Sequence, residues 1–292
     1  MKQILITGSK GQLGSELMAL AEQFAHWQFI PTDVDTLDLT DKRALSQFLA
    51  EHKVDYVVNC AAYTAVDKAE DDLDLCYKIN RDAVRNLGEA AHAHQARVVH
   101  ISTDYVFDGQ ANTPYKETDA VNPQSVYGKS KLAGEQALQA SGAESIIIRT
   151  AWLYSTYGNN FVKTMRRLAA ERDELNVVCD QTGTPTYAAD LAQAIVAMIA
   201  FAEKEQQFPT GIYHYSNEGV TTWHEFATEI IKLAGHSCTV KPIPTSQYPT
   251  KVARPMYSVL DKSKLRSTFK LTVPNWEESL RICSEKLIIH NS

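Results

Sequence analysis

Tyr127 and Lys131 are the pair in this sequence whose types and spacing could do acid–base chemistry. They lie four positions apart, and side chains at i and i+4 share one face of a helix. An ammonium beside a phenol favours the phenolate and lowers the phenol pKa, so we expect Tyr127 to exchange a proton near neutral pH. Chance alone produces roughly one such pair in a chain of this composition, so the surrounding sequence must decide its meaning.

A glycine turn at the start of the chain could hold a phosphate-bearing cofactor. An apolar run at residues 2–7 is followed by Gly8, Gly11 and Gly14, and apolar residues then recur with helical spacing. In a dinucleotide-binding unit the first glycine permits the turn and the second lets the backbone approach a pyrophosphate at the helix N-terminus. The third lets helix and strand pack closely. The order of strand, turn and helix therefore predicts a dinucleotide site.

Acidic residues after the second predicted strand bear on the choice of coenzyme. Asp33 follows the strand at 27–32 and could accept hydrogen bonds from the adenosine ribose. This favours NAD over NADP, because a carboxylate repels a 2′-phosphate. Asp38 lies nearby, and it could instead cap the helix that starts near Thr40. Lys10 in the glycine turn could reach a 2′-phosphate, so the sequence leaves NADH and NADPH both open.

Alternating strands and helices predict the fold class. Further apolar strands are expected at 54–61, 97–102 and 144–149. Strands of this kind indicate an α/β fold with a doubly wound, parallel Rossmann-type sheet covered on both faces. We expect an NAD(P)-binding domain at 1–149, with a returning segment near 187–215, and a smaller mixed α/β substrate domain at 150–186 and 216–292.

Bulk composition argues against several classes of protein. Lys and Arg total 29 and Asp and Glu total 35, and a net charge of −6 does not suit nucleic acid or an anionic membrane as partner. No apolar run is long enough to span a bilayer and no secretory leader is recognisable, so we expect a cytoplasmic protein. Five scattered cysteines without a Cys-x-x-Cys pattern indicate reduced thiols and argue against zinc.

Thr103 connects the Tyr127 and Lys131 pair to the predicted cofactor. It lies at the carboxyl end of a predicted strand, beside the position expected for a nicotinamide. Hydride transfer to a ketone needs a donor close to the developing alkoxide, and it needs a proton. The hydroxyl, the phenol and the ammonium can meet these needs. The long connection at 105–122 joins Thr103 to the Tyr127 stretch, and its length favours a functional segment.

The glycine turn and the Tyr-x-x-x-Lys pair resemble those of the extended short-chain dehydrogenase/reductase family. Within it, the chain is most similar to the dTDP-4-dehydrorhamnose reductase family, and this resemblance covers essentially the whole chain in order. Its motifs are Asn-Cys-Ala-Ala-Tyr-Thr-Ala-Val-Asp-Lys-Ala-Glu (59–70), Ser-Thr-Asp-Tyr-Val-Phe-Asp-Gly (102–109), Val-Tyr-Gly-Lys-Ser-Lys-Leu-Ala-Gly-Glu (126–135), Arg-Thr-Ala-Trp-Leu-Tyr (149–154), Gly-Asn-Asn-Phe (158–161), Asp-Gln-Thr-Gly-Thr-Pro-Thr (180–186) and Arg254-Pro255.

The resemblance implies reduction of the C4 ketone of dTDP-4-dehydro-β-L-rhamnose by NADPH or NADH, the last step of dTDP-L-rhamnose synthesis for surface polysaccharide such as O antigen. By matching position, Thr103 would polarise the carbonyl, Tyr127 would deliver the proton, and Lys131 would hold the cofactor ribose and tune Tyr127. Asp104 and Trp152 would contact the sugar. The cofactor would be lined by Gly8, Gly11, Gln12, Leu13, Gly14, Asp33, Asp38, Leu39, Ala61, Ala62, Tyr63, Tyr127 and Lys131.

The resemblance also implies an assembly and a metal. Similar proteins form homodimers, and some bind Mg²⁺ through glutamates at the interface. Glu16 could match one of these ligands, and Asp190 stands where another glutamate is expected.

Two other functions stay open on the sequence. A 4,6-dehydratase or a 4-epimerase for sugar nucleotides could share this fold, although dehydratases add an acidic pair beside the threonine and here Asp104 is followed by Tyr105. Relatives of this reductase also serve as non-catalytic regulatory subunits of methionine adenosyltransferase. The presence of Thr103, Tyr127 and Lys131 argues against that second reading.

Overall fold

The structure is a computed structural model and describes residues 1–289. A six-stranded parallel sheet forms its centre. Its strands are β1 (Lys2–Thr7), β2 (Trp27–Thr32), β3 (Tyr56–Asn59), β4 (Arg97–Thr103), β5 (Ser145–Thr150) and β10 (Gly211–His214). Their order across the sheet is β10-β5-β4-β3-β1-β2. The parallel α/β fold class predicted from the sequence is confirmed.

Helices cover the sheet on both faces. The α-helices of the described residues are α1 (Gln12–Leu20), α2 (Lys42–His52), α3 (Val66–Ala69), α4 (Leu73–Tyr77), α5 (Ala83–Ala93), α6 (Val126–Ala140), α7 (Phe161–Glu171), α8 (Ala188–Glu205), α9 (Trp223–Leu233), α10 (Ser263–Phe269) and α11 (Trp276–Ile289). Of these, α7, α9 and α11 pack in a core of the second half and not on the sheet. Successive strand residues point to opposite faces. In β1, Ile4 and Ile6 therefore pack in the core with α1 and α8, and Leu5 packs in the core with α2 and α5. Among residues 1–289, no helix combines the length and the apolar character needed to cross a bilayer.

The second half of the chain adds a separate aromatic and aliphatic core. Phe226 is its fully buried centre, packed among residues of α7, α9 and α11. Short strand pairs frame it, and they are β6 (Leu153–Tyr154) with β9 (Thr186–Tyr187), β7 (Glu174–Val178) with β12 (Thr239–Ile243), and β8 (Thr182–Gly183) with β11 (Thr221–Thr222). Thr222 and Glu225 form the capping box that the sequence predicts at the start of α9. The division into two domains stays a prediction.

The connection at 105–122 is held by backbone contacts with the second half. Tyr115 N donates to Val259 O at 2.9 Å, and Tyr257 N donates to Gly109 O at 3.0 Å. A backbone without helix or strand of its own needs such partners, because unpaired buried amides are costly. The connection therefore links the end of β4 with the second half before the chain enters α6.

A buried ion pair fastens α6 to the sheet. Arg149 in β5 donates to Glu135 in α6 through two bonds of 2.9 and 2.7 Å, and Ser102 donates to the same carboxylate at 2.5 Å. The two charged side chains are only 3% and 1% exposed. We expect Arg149→Met to lower the free energy of unfolding by ~3–5 kcal/mol, because it leaves Glu135 buried without its counter-charge.

Urea denaturation measures this loss. The double variant Arg149→Met with Glu135→Leu removes both charges and should recover much of the stability. A single variant within about 1 kcal/mol of the parent protein would contradict the importance of the pair.

Candidate active site

A cavity of about 900 Å³ lies at the edge of the sheet where the strands end. Thr7 is in register with Asn59, and Thr103 with Thr150, so the parallel strands finish at one edge. β2 lies on one side of β1 in the sheet and β3 lies on the other, so the strand order reverses at β1. Open α/β sheets bind their ligands at such a switch point. Residues of the second half form the opposite wall of the cavity.

The glycine turn has the geometry of a phosphate cradle. Gly8 has a φ of +62°, and its carbonyl accepts a hydrogen bond from Gly11 N at 3.0 Å. A Cβ on Gly14 would lie 2.3 Å from Gly8 O, so only glycine lets α1 pack this close. No side chain caps the first turn of α1, which leaves its amides free to bind an anion. These residues fit the pyrophosphate of a dinucleotide.

The predicted cofactor residues separate into two groups. Those that line the cavity are Gly8, Gly11, Gln12, Leu13, Gly14, Ala62, Tyr127 and Lys131. Those outside its lining are Asp33, Asp38, Leu39, Ala61 and Tyr63. Leu39 is buried in the core between α2 and α5. Tyr63 donates its phenol proton to Asp72 at 2.9 Å, so this group has a partner in the protein.

The acidic residues that follow β2 accept hydrogen bonds from backbone amides of nearby turns. Asp33 accepts from Lys10 N at 3.1 Å and from Val34 N at 2.8 Å. Asp38 accepts from Thr40 N at 2.8 Å, and the cap of α2 is the next aspartate along the chain, Asp41. The ammonium of Lys10 pairs with Asp35 at 2.5 Å on the exposed side.

Thr103, Tyr127 and Lys131 all line the cavity, as the sequence predicts for catalytic residues. Ser125 caps α6 by accepting from Gly128 N at 3.0 Å, which places Tyr127 in the first turn and Lys131 one turn later. The Lys131 ammonium donates to Ile101 O at 2.7 Å.

Gly128 lies where α6 meets the residues that follow β4, and the sequence patterns do not single it out. A Cβ at this position would lie 2.2 Å from the carbonyl oxygen of Tyr105. The absent side chain lets α6 press against the end of β4, which brings Tyr127 to Thr103. The one sequence signal for this fit is the glycine directly after Tyr127.

Burial has the largest effect on the pKa values of Tyr127 and Lys131. It raises the pKa of Tyr127, while a hydrogen bond between the Thr103 and Tyr127 hydroxyl groups lowers it and the charge of Asp104 raises it. Burial also lowers the pKa of Lys131 to about 8. The sequence predicts that Lys131 lowers the phenol pKa; in the structure burial has the largest effect on this pKa, and the Lys131 ammonium donates to the carbonyl of Ile101. Tyr127 therefore carries its proton at neutral pH and is ready to donate it.

Asp104 is a buried carboxyl at the cavity wall. Thr103 Oγ1 donates to its Oδ1 at 2.9 Å, while its Oδ2 is buried and has no hydrogen-bond partner among the described residues. Burial raises the pKa of Asp104 to about 7. A buried oxygen without a partner suits a ligand hydroxyl, since burial of such an atom is costly until it is paired.

This raised pKa predicts a pH-dependent stability. The unfolded state loses the Asp104 proton near the ordinary pKa of 3.8 and the folded state only near about 7, so this group makes the protein less stable as pH rises between those values. We expect Asp104→Asn to raise the free energy of unfolding at pH 8 by ~2–4 kcal/mol, with a smaller gain at pH 5. Urea denaturation at both pH values checks this, and an equal effect at both would contradict the assignment.

Trp152 forms the wall opposite the glycine turn. Its backbone has a φ of +48°, which is rare for a bulky residue, and its ring stacks on Trp223 at 3.6 Å between centroids. A Cβ on Gly183 would lie 2.6 Å from the Trp152 ring, so this glycine makes room for it. The strained backbone and stacked ring present a rigid aromatic surface to a ligand. The contacts of Trp223 and Gly183 with Trp152 are not predicted from the sequence.

The candidate metal ligands have partners within the chain. Glu16 is buried in α1 and accepts from Ser155 Oγ at 2.6 Å. Asp190 accepts from Asn217 at 2.6 Å and from Ser279 at 2.5 Å. Across residues 1–289, no group of three or more His, Cys, Asp or Glu side chains is arranged to hold a metal ion. A magnesium ion shared between two copies stays a prediction.

Comparison with known proteins shows the family of this chain. The model of one family, described as the RmlD substrate binding domain, matches residues 1–289. This chain belongs to that family. A dTDP-4-dehydrorhamnose reductase of Aggregatibacter actinomycetemcomitans is 40% identical over 287 residues, which cover 96% of this chain and 98% of that protein.

Two solved structures match over nearly the full length. A dTDP-4-dehydrorhamnose reductase from Clostridium acetobutylicum is 45% identical with a TM-score of 0.91, covering 98% of this chain and 99% of the other. One from Bacillus anthracis, in complex with NADP, is 40% identical with a TM-score of 0.90, covering 99% and 100%. The resemblance stated from the sequence is thus confirmed. This member of the RmlD family has the Rossmann-type α/β fold that the sequence predicts.

Proposed function

We propose that this RmlD family protein reduces the C4 ketone of dTDP-4-dehydro-β-L-rhamnose to dTDP-β-L-rhamnose with NADPH or NADH. The observation that carries the proposal is the meeting of Thr103, Tyr127 and Lys131 in one cavity with the glycine turn. The reaction would be the last step in the synthesis of dTDP-L-rhamnose, the activated sugar used for surface polysaccharide. Relatives that are about 40% identical over the full length carry the name of this activity.

The chain's own residues divide the work of the reaction. The reduced nicotinamide coenzyme, when bound, supplies the hydride for the carbonyl carbon. Tyr127 holds a proton at neutral pH and donates it to the carbonyl oxygen as negative charge develops there. Thr103, which lines the same cavity, would polarise the carbonyl by donating its hydroxyl proton to the carbonyl oxygen. Lys131, fixed by the carbonyl of Ile101, lies one turn away to bind the coenzyme ribose.

Asp104 and Trp152 would hold the sugar in this arrangement. The free oxygen of Asp104 is placed to bond a sugar hydroxyl, and the Trp152 ring offers a flat apolar surface to the sugar face. Catalysis needs this positioning, because the rate of reduction falls steeply when the ketone is displaced from the phenol and the hydride donor.

Coupled turnover of the keto-sugar with each coenzyme tests the proposal. Purified protein is expected to oxidise NADPH or NADH in step with the appearance of the reduced sugar nucleotide, identified by mass spectrometry. The ratio of kcat/KM for the two coenzymes would settle the preference that Asp33 and Lys10 leave open. A redox-neutral change of the sugar would instead identify an epimerase or a dehydratase, and no turnover of any sugar nucleotide would favour a regulatory subunit.

A homodimer, interface Mg²⁺ and a cytoplasmic location belong to the same proposal and rest on the family resemblance. Light scattering of the purified protein would show the number of copies. Treatment with a chelator would show whether that number depends on a divalent metal. Fractionation of the producing cells would show the location.

A further inference from the structure

Trp152 lies between two paired strands that fix its backbone. It is in the short link between β5 of the central sheet and β6, which pairs with β9. Its carbonyl oxygen accepts a hydrogen bond from Thr186 N at 3.1 Å. A bulky residue keeps a φ of +48° only where the surrounding structure determines its conformation. The strand pairings on both sides do this for the backbone, and they leave the side-chain torsions to be fixed by packing.

The indole ring of Trp152 is held by a second indole. The Trp223 ring stacks on it, with 3.6 Å between the centroids and 15° between the planes. Trp223 in turn packs against Phe161 of α7 at 4.6 Å between centroids. A stacked aromatic pair contributes more than the area that it buries, because the two rings favour one relative geometry. The contact with Trp223 therefore selects one orientation of the Trp152 ring.

Trp223 is placed by an element whose own start is fixed. It is the first residue of α9 and follows Thr222, whose Oγ1 accepts from Glu225 N at 3.2 Å in the capping box. Thr222 ends β11, and this strand pairs with β8, which ends at Gly183. One strand pair therefore carries both the glycine that leaves room for the Trp152 ring and the residue before Trp223.

Both indoles line the cavity, and holding one of them fixed affects ligand binding. In the proposed function, Trp152 offers a flat apolar surface to the sugar. A ring that is already held in its binding orientation loses little torsional freedom when the ligand arrives, and such preorganisation raises affinity. Without Trp223, the Trp152 ring could adopt other rotamers, so the affinity for the sugar would fall although Trp152 is still present.

We propose that Trp223 is the positioning residue for Trp152, and that by this contact it sets the affinity of the site for the sugar portion of the nucleotide sugar. This inference rests on the proposed function, which supplies the substrate class and the role of Trp152. It gives the start of α9 a part in sugar recognition. It assigns Trp223 no part in binding the nucleotide portion or the coenzyme.

Calorimetry with dTDP-L-rhamnose and with dTDP tests the proposal on the full chain. Trp223→Leu keeps an apolar side chain but removes the flat ring. We expect it to weaken dTDP-L-rhamnose binding by about tenfold, the scale of a stacked aromatic pair, and to leave dTDP binding within about twofold. Trp223→Phe should recover part of the loss because it keeps a flat ring. KM for the keto-sugar should rise with the same pattern, while KM for the coenzyme is unchanged.

A double-mutant cycle shows whether Trp223 acts through Trp152. In a Trp152→Ala background, Trp223→Leu should change dTDP-L-rhamnose affinity by no more than about twofold. The reason is that a positioning residue has no effect once the ring that it positions is absent, and such coupling appears as non-additivity.

Trp276 offers a matched control from the same aromatic core. It is the first residue of α11, packs edge-on against Phe226 at 5.7 Å between centroids, and is not among the residues that line the cavity. Trp276→Leu therefore reports what general loosening of this core does to binding, and it should bind dTDP-L-rhamnose within about twofold of the parent protein. Urea denaturation shows that each variant is folded under the conditions of the titration.

Three results would overturn the inference. They are equal losses of dTDP and dTDP-L-rhamnose affinity in Trp223→Leu, equal effects of Trp223→Leu and Trp276→Leu, and additive effects of Trp152→Ala and Trp223→Leu. Turnover of the keto-sugar by the parent protein is measured in the same series. An active parent combined with full sugar affinity in Trp223→Leu would overturn this inference alone. A parent that neither turns over the keto-sugar nor binds dTDP-L-rhamnose more tightly than dTDP would overturn the proposed function and this inference with it.

Discussion

Tyr127→Phe is expected to lower kcat at least about a hundredfold, the usual scale for removing a positioned acid. The substitution removes one oxygen from a side chain that lines the cavity together with Thr103. Burial keeps the phenol protonated, so its loss leaves no equivalent donor for the alkoxide. Single-turnover measurement of coenzyme oxidation with the keto-sugar would report the chemical step directly.

Coenzyme binding separates this loss from a general defect. Tyr127→Phe should bind NADPH with nearly the affinity of the parent protein, measured by the change in nicotinamide fluorescence. Tyr77→Phe, a tyrosine on α4 that is not part of the cavity lining, should keep normal turnover. Near-normal kcat in the Tyr127 variant would exclude this tyrosine as the proton donor.

Gly128→Ala is expected to have the second largest effect, through packing alone. The added Cβ would lie 2.2 Å from Tyr105 O, a backbone atom that cannot swing away, so α6 must shift. Overpacking of this kind costs ~1–3 kcal/mol of stability. Because Tyr127 precedes this glycine, the same shift should misplace the phenol and lower kcat by about a hundredfold.

Lys129→Ala is the matched control for this prediction. Lys129 follows Gly128 on α6 and is exposed, so its truncation should change neither kcat nor stability by much. Urea denaturation and steady-state turnover would be measured on both variants. If Gly128→Ala lost stability but retained full turnover, the fit between α6 and the end of β4 would be structural only.

These two predictions illustrate different parts of the same site. In the proposed reaction Tyr127 acts on the substrate directly, and its place on one helix face with Lys131 can be predicted from a four-residue spacing. Gly128 acts through the contact between α6 and the residues that follow β4. The four-residue spacing of Tyr127 and Lys131 does not predict that contact. Both are needed, because a proton donor is effective only within hydrogen-bond reach of its acceptor.

From the sequence alone, the local chemistry could be determined. A strand, three glycines and an amphipathic helix specify a phosphate-binding turn, because backbone sterics and free helix amides act over a few residues. The i, i+4 spacing of Tyr127 and Lys131 placed both on one helix face for the same local reason. Apolar runs alternating with helices predicted the parallel sheet, since buried strands need apolar side chains on both faces.

Only the tertiary structure decided where charges and hydrogen bonds are directed. Lys131 donates to Ile101, thirty residues earlier, a contact that its spacing from Tyr127 does not predict. Arg254 meets Asp67 across 187 residues, with one nitrogen left unpaired. The reason is physical: spacing along the chain sets which side chains share a turn or a face. Burial and the approach of distant elements set which of them are paired, charged or free to bind a ligand.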